Sequence, residues 1–188
     1  MRKLGAAALL TVLAGCATPL SPDCTRFGRD GQVCLLPPAD LPKLDAVHLV
    51  TVTRDGRPDS FMGQLHIDDR TLRLAGSSLF GNGLFTLSYD GKLIQAQPDD
   101  PQLRAEILVV MLELALSDPD TLKSRLHGLD LAVSETPQGE VRDISEAGHA
   151  LVHILRGRGP LPAAPLELDI PPLKVSVTMQ PLTPQDKP

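Results

Sequence analysis

Among the residue types of this sequence, histidine has the widest range of possible chemistry, and the chain has five histidines. His149 and His153 are four residues apart and follow Glu146, so on a helix the three side chains would lie close enough to bind a metal ion. Residues 150–155 are typical of a β-strand instead, and on a strand two residues four apart are separated by about 13 Å. We therefore expect no metal site and interpret these histidines as surface or pocket-edge residues.

Nucleophilic and phosphate-binding motifs give no stronger signal. The sequence has no GxSxG motif and no glycine-rich phosphate loop. Ser77 and Ser78 follow Gly76, but no motif places a general base beside them. We expect neither an enzyme nor a cofactor; an accessory enzyme built from scattered residues and acting on a lipid-linked product is a third alternative.

Cys24 and Cys34 flank Asp30-Gly31, a dipeptide that favours a hairpin turn. In an exported chain such an even pair is typically joined in a disulfide. A bridge here would stabilise the fold by about 2–3 kcal/mol by restricting the unfolded chain. The alternative, a redox or metal site, is not favoured, because the spacing fits neither a CxxC motif nor zinc ligands and no histidine lies nearby.

The first residues have the pattern of a secretory signal. Residues 1–3 are a basic start, and residues 4–15 are apolar or small and too few to span a bilayer, which takes about 20. The segment ends in Leu13-Ala14-Gly15-Cys16, which looks like a bacterial lipobox. In that class the thiol of Cys16 is acylated and Cys16 becomes the first residue of the mature chain. An ordinary signal peptide with an incidental cysteine is the alternative.

Lipidation of Cys16 would anchor the protein to a membrane, since two or three acyl chains hold far more firmly than one. The next residue is Ala17 rather than aspartate, which resembles lipoproteins sorted to the outer membrane. We expect the protein on the periplasmic face of the outer membrane, attached through its N-terminal acyl chains.

The composition of the chain is that of a globular protein. Of 188 residues, 42% are hydrophobic and 22% charged, which excludes wholesale disorder. The formal net charge of −5 and the lack of a basic aromatic platform argue against a nucleic-acid partner. We divide the chain into a signal peptide (1–15), a lipid-anchored tether (16–29), one sheet domain (30–180) and a flexible tail (181–188).

Most of the domain alternates between apolar and polar residues, as in antiparallel strands with one buried face. Asp55-Gly56 and Asp90-Gly91 are hairpin signals between such segments. The last segment, starting at Leu173, alternates most clearly. The pattern predicts an antiparallel sheet of about nine to eleven strands. The segments are 46–54, 60–68, 71–75, 84–89, 92–97, 129–135, 140–144, 150–156, 166–170 and 173–180.

One stretch interrupts this pattern with helical signals. Asp100 suits an N-cap and Pro101 a first helical position, and residues 102–116 are apolar on most of a helix circumference. Asp118-Pro119 repeats the start signal for a short helix that would end before Gly128. We expect an α+β fold in which helices are inserted midway into a curved antiparallel sheet or half-open β-barrel.

The chain resembles the DUF3261 family of bacterial lipoproteins over residues 30–180. The resemblance rests on the lipobox and on residues 84–93, 107–114 and 170–175. It implies a layout similar to the LolA/LolB superfamily, in which helices cover an apolar cavity for acyl chains, with a LolA-like carrier as a possible partner. Family members often occur in gene clusters for aryl-polyene pigments, which implies a lipid-linked product at the outer membrane.

Two functions are compatible with these patterns. The protein either binds an acyl or polyene lipid as a carrier or acceptor, or it is a packed structural lipoprotein that docks a protein partner. The sequence does not separate them, because packed cores and lipid cavities are lined by the same residues. Leu79 and Phe80 are candidates for a membrane-contact loop, or alternatively cover the end of the core. The candidate cavity residues are Phe61, Leu65, Leu72, Leu74, Phe85, Leu87, Ile107, Met111, Leu114, Val133, Val175 and Val177.

Overall fold

The computed structural model of the protein describes residues 24–98, 104–161 and 163–182. Several sequence predictions lie outside these residues: the signal peptide, Cys16 and Ala17, the cap formed by Asp100 and Pro101, and the tail from residue 183 onward.

The described residues form thirteen strands and two α-helices. Before the helices come β1 (Cys24–Arg26), β2 (Gln32–Cys34), β3 (Leu44–Arg54), β4 (Arg57–Ile67), β5 (Leu72–Ser77), β6 (Gly83–Tyr89) and β7 (Ile94–Gln97). Then follow α1 (Ala105–Leu116), α2 (Pro119–Lys123), β8 (Leu126–His127), β9 (Asp130–Glu135), β10 (Gly139–Glu146), β11 (His149–Gly157), β12 (Leu166–Ile170) and β13 (Val175–Pro181).

Ten of the strands form one antiparallel sheet in the order β7-β6-β5-β4-β3-β13-β12-β11-β10-β9. It consists of two meanders of consecutive strands, β3–β7 and β9–β13, which are joined where β3 pairs with β13. The helices lie between the meanders in the chain, and the edge strands β7 and β9 are not paired with each other. The sheet is therefore open, and the predicted α+β fold with midway helices is confirmed.

The β3–β4 hairpin shows why the strand prediction succeeded. Arg54 pairs with Arg57 across a two-residue turn, in which Asp55 and Gly56 have φ values of 50° and 75°. These positive φ values are the ones that a type I′ turn needs and that Asp-Gly tolerates. A local dipeptide thus sets the register of the two longest strands.

Two predicted boundaries are corrected by the structure. Leu173 does not belong to the last strand: it lies in a 3₁₀ turn, Pro171–Leu173, with 62% of its surface exposed, and β13 begins at Val175. The two prolines before it lack the N–H that a strand ladder requires. The long helix begins at Ala105 rather than at residue 102, because Arg104 has a φ of 44° and is not helical.

A small separate sheet has the order β1-β2-β8, and its strand β1 lies within residues 16–29, where a tether was expected. Cys24 is directly opposite Cys34, and the predicted disulfide joins them. The loop between them is fixed to the main sheet by Glu146 on β10. Its carboxylate accepts backbone hydrogen bonds from residues 29–31 at 2.6–2.8 Å. These bonds, led by the one from Arg29, lower the pKa of Glu146.

The core lies between α1 and the inner face of the main sheet. Along α1, Val109, Val110, Leu114 and Ala115 are fully buried. Because α1 is apolar on most sides, it needs cover on most sides. The sheet and the segment around Leu36 supply that cover.

Candidate functional site

The space beneath α1, where the sequence suggested a lipid cavity, is packed with side chains. Leu65, Leu72, Leu87 and Leu114 are each no more than 2% exposed. In the described part of the chain, a void of about 20 Å³ remains here. Such a void holds about one water molecule, so it does not hold an acyl chain.

Arg142 on β10 ties α1 to the sheet. Its side chain is fully buried, and Nη1 donates to the carbonyl oxygens of Leu114 at 2.8 Å and Ser117 at 2.7 Å. These carbonyls are at the end of α1, where no backbone donor follows. Nε donates to Glu140 at 2.7 Å. Burial lowers the pKa of Arg142, and its hydrogen bond and ion pair with Glu140 oppose that shift.

Glu113 is a second buried ionisable residue in this interface and is 1% exposed. Its Oε2 accepts a hydrogen bond from the backbone N–H of Leu36 at 3.1 Å, while Oε1 has no partner among the described residues. Burial raises the pKa of Glu113 to about 8, and the bond from Leu36 and the charge of Arg125 oppose the rise only in part. The carboxyl group is therefore mostly protonated at neutral pH.

The inner face remains partly uncovered toward the β3–β4 turn. Val52, Phe61, Phe85, Ile170 and Val177 are half-buried there, and we call them the open apolar end. Val177 pairs with Val52 across β13 and β3, and the rings of Phe61 and Phe85 meet edge to face with centroids 5.8 Å apart. Solvent reaches part of each of these apolar side chains, which lie on the inner face of the sheet.

Gly76 shapes this surface. It lies on β5 directly opposite Phe85, and a Cβ atom built on it would overlap the Phe85 ring. The missing side chain lets Phe85 lie across β5 toward Phe61. A glycine in a strand interior often marks such a close approach.

The loop between β5 and β6 holds Leu79 and Phe80 in solvent, with 56% and 95% of their surfaces exposed. The turn is closed by the N–H of Ser78 bonding to the carbonyl of Asn82 at 2.8 Å and by the Ser78 hydroxyl accepting from the Asn82 N–H at 3.1 Å. Ser78 thus has a structural role in the turn. The side chains of Leu79 and Phe80 are thus directed to solvent.

The predicted cavity residues fall into three groups. The first is buried in the packed core: Leu65, Leu72, Leu87, Met111, Leu114 and Val175. The second is half-buried and extends toward solvent: Phe61, Leu74, Phe85, Ile107 and Val177. The third group is Val133, which lies on the edge strand β9 and is 38% exposed. Among the described strands, β9 pairs only with β10.

The histidines considered as metal ligands do not belong to the open apolar end. His153 and His149 lie on the exposed side of β11, and His153 pairs through Nδ1 with Asp143 at 2.7 Å. Within residues 24–98, 104–161 and 163–182, no cluster of three or more His, Cys, Asp or Glu could hold a metal ion. None of the helices formed by these residues is long and apolar enough to cross a membrane.

Sequence reasoning missed the buried polar residues beneath α1. Glu113 was visible as a charge within an apolar helix, but its partners, Leu36 and Arg125, are remote in sequence or lie beyond the helix. Arg142 gave no signal at all, because strand alternation alone does not say that an arginine faces inward.

Comparison with known proteins gives a family and distant similarities to solved structures. The family described as "Protein of unknown function (DUF3261)" matches residues 45–183. No curated protein matches the chain. Among solved structures, the crystal structure of a DUF1329 family protein from Desulfovibrio piger ATCC 29098 is similar at 9% identity and a TM-score of 0.30, with 75% of this chain and 85% of that chain covered.

Proposed function

The chain belongs to the DUF3261 family, and we propose that it is an outer-membrane lipoprotein that binds the acyl or polyene chain of a lipid. The ligand lies on the open apolar end of the sheet rather than beneath α1. The protein acts there as a carrier or acceptor in envelope lipid or pigment synthesis.

The observation that carries this proposal is the partial exposure of five apolar side chains on the inner face of the sheet. The open apolar end spans strands from both meanders, and the loop with Leu79 and Phe80 follows β5 directly. Exposed apolar patches on soluble proteins often mark binding sites. An elongated hydrocarbon fits a shallow apolar surface with few polar groups.

The packed space beneath α1 restricts where the ligand binds. A void of about 20 Å³ excludes a chain of many methylene groups. Each methylene that leaves water contributes about 0.8 kcal/mol, so even partial cover at the open apolar end is favourable.

Membrane attachment in this proposal uses two features. Acyl chains on Cys16 anchor the mature chain, and Leu79 and Phe80 contact the bilayer during transfer. The mature chain would lose Arg2 and Lys3 and carry a net charge of −7, so charge would not draw it to anionic lipid. Apolar contact is then the main attraction between the domain and the membrane.

The partner side of the proposal rests on the family resemblance. A LolA/LolB-like relation and a LolA-like donor would explain how an apolar ligand crosses the periplasm without entering water. Neither a metal ion nor nucleic acid has a role in this scheme.

Palmitate binding tests the proposal. The full chain carrying Cys16→Ser is titrated with palmitate and followed by native mass spectrometry. We expect a saturable one-to-one complex that Phe85→Gln weakens and that Leu93→Gln, a matched change of an exposed apolar residue on the β6–β7 turn, leaves intact. Val177→Thr serves as a second, isosteric variant if Phe85→Gln does not fold. An empty spectrum, or equal binding by all variants, would contradict the proposal.

A second candidate is a packed module that docks a protein partner, and the small void beneath α1 favours it. In that case Phe80→Ser abolishes capture of one stoichiometric protein partner, and none of the variants binds palmitate. The two candidates therefore give opposite results in the same pair of measurements.

A further inference from the structure

A hollow of the described chain lies on the face of the sheet opposite to α1. It has a volume of about 540 Å³ and is formed by the outer face of β3 to β7. Its polar lining side chains are Asp45, Gln64, His66, Arg73, Thr86, Ser88, Gln95 and Gln97. The lipid-binding proposal does not use these residues.

Strand register arranges the side chains in two rows. Asp45, His66, Arg73, Ser88 and Gln95 follow one another as direct cross-strand partners over five strands. The second row consists of Gln64, Ala75, Thr86 and Gln97. Neighbouring strands are about 4.8 Å apart, so adjacent members of a row are within reach of one small ligand.

Arg73 lies at the centre of the first row and makes no ion pair with any described residue. The nearby carboxylates of Asp45 and Asp68 face His66 instead, at 3.7 and 3.4 Å. The guanidinium of Arg73 thus remains available in a chain whose net charge is −5. A guanidinium matches phosphate or carboxylate oxygens with two parallel hydrogen bonds.

The groups around Arg73 are mostly neutral. Side-chain amides from three glutamines and hydroxyls from Thr86 and Ser88 can each both donate and accept hydrogen bonds. Ala75, between Gln64 and Thr86 in the second row, is small and leaves space above the sheet. Vicinal hydroxyl groups require this mixture of donors and acceptors, and an apolar ligand does not.

We propose that this hollow binds an anionic polyol, a sugar or cyclitol unit that carries a phosphate or carboxylate. Arg73 binds the anionic group, and the glutamine amides and the two hydroxyls bind the polyol. The site is independent of the lipid-binding proposal, because the sheet itself separates the two surfaces.

Two probes with the same head group test the proposal and distinguish a soluble ligand from a membrane-held one. myo-Inositol 1-phosphate represents a soluble ligand, and vesicles of four parts phosphatidylcholine to one part phosphatidylinositol represent a membrane-held one. The full chain with Cys16→Ser is titrated with the soluble probe by nitrogen-proton NMR and sedimented with the vesicles. Binding in either arm supports the site and identifies the source of the ligand.

We expect saturable NMR shifts on β4 to β7, a loss of affinity of at least about tenfold in Arg73→Gln, and a smaller loss in Arg73→Lys, which keeps the charge without the paired donors. Arg57→Gln, a change of an exposed arginine on the β3–β4 hairpin, is the matched control and should bind normally. Ala75→Phe should fill the hollow and abolish binding without removing a charge.

Three results would overturn the proposal. The first is the absence of binding in both arms. The second is equal affinity of Arg73→Gln and Arg57→Gln. The third is binding of inorganic phosphate as tightly as the inositol phosphate, which would mean that the polyol is not recognised. Palmitate binding is not expected to change in any of these variants, so failure here and failure of the lipid-binding proposal are distinguishable.

Discussion

Arg142 donates from Nη1 to the carbonyl oxygen of Leu114 at 2.8 Å, so a fully buried side chain of β10 closes the last turn of α1. This bond joins the helix to the second meander. The bond explains how α1 stays packed on the sheet although the helix leaves part of the inner face open.

Removing this guanidinium should destabilise the fold strongly. In Arg142→Met the carbonyls of Leu114 and Ser117 lose their donor and Glu140 loses its closest partner. We expect a loss of about 3–5 kcal/mol in the free energy of unfolding, measured by urea titration. Lys123→Met breaks an exposed ion pair with Asp120 and should cost less than about 1 kcal/mol. Equal losses would mean that Arg142 does not anchor α1.

Glu113 should make the protein less stable as pH rises. Between its ordinary pKa of 4.5 and its folded pKa of about 8, the folded protein keeps a proton that the unfolded chain has released. The free energy of unfolding therefore falls across this window, by at most about 1.4 kcal/mol per pH unit, and levels off above it.

Glu113→Gln removes this titration and should flatten the slope in urea unfolding at several pH values. Glu106→Gln, on a half-exposed position of the same helix that pairs with Arg104, is the control and should keep it. A slope that is unchanged in Glu113→Gln would assign the pH dependence to other groups.

Gly76→Ala should push the Phe85 ring off β5. The added methyl group occupies the position of that ring, and such overpacking costs about 1–3 kcal/mol. The affinity for palmitate should fall with it. Gly83→Ala adds a methyl group on β6 where no atom lies within 4 Å, so it serves as the control. If both variants behave alike, Gly76 is not needed for the position of Phe85.

Reduction of the Cys24–Cys34 bridge should lower stability without changing the main sheet. The bridge closes a short loop, and its loss should cost about 2–3 kcal/mol. Thermal unfolding with and without dithiothreitol measures this. The double variant Cys24→Ser, Cys34→Ser should unfold like the reduced protein and should not respond to dithiothreitol.

Phe80→Ser should leave stability within about 0.5 kcal/mol of the unaltered chain, because the side chain is 95% exposed. If the loop contacts lipid, the same change lowers co-sedimentation of the Cys16→Ser chain with neutral phosphatidylcholine vesicles. Leu93→Ser, at an exposed apolar residue of a different turn, is the control. Identical sedimentation of the two variants would exclude a special role for the β5–β6 loop.

The strands were predictable from sequence because their signals are local. Asp55-Gly56 sets a hairpin register by its own backbone preferences, and alternation identifies the buried face of each strand. Leu173 misled the same reasoning, since the alternation continues through a turn that the prolines before it impose.

Whether the interior is hollow or packed was not predictable in the same way. Whether Met111 and Leu114 line a cavity or a packed core depends on residues distant in sequence, such as Leu36 and Arg142. The outer hollow also escaped notice, because Arg73 and the glutamines resemble ordinary solvent-facing residues until the register aligns them. Side-chain juxtaposition across five strands leaves no trace in a local pattern.

The pairing of β3 with β13 has a consequence for how the chain reaches its folded state. The C-terminal strand lies at the middle of the sheet, next to a strand that is made among the first. Until synthesis delivers residues 175–181, each meander has an open edge that can pair with another chain. A truncation ahead of Val175 would therefore yield two separate half-sheets prone to association, because β13 joins the two meanders.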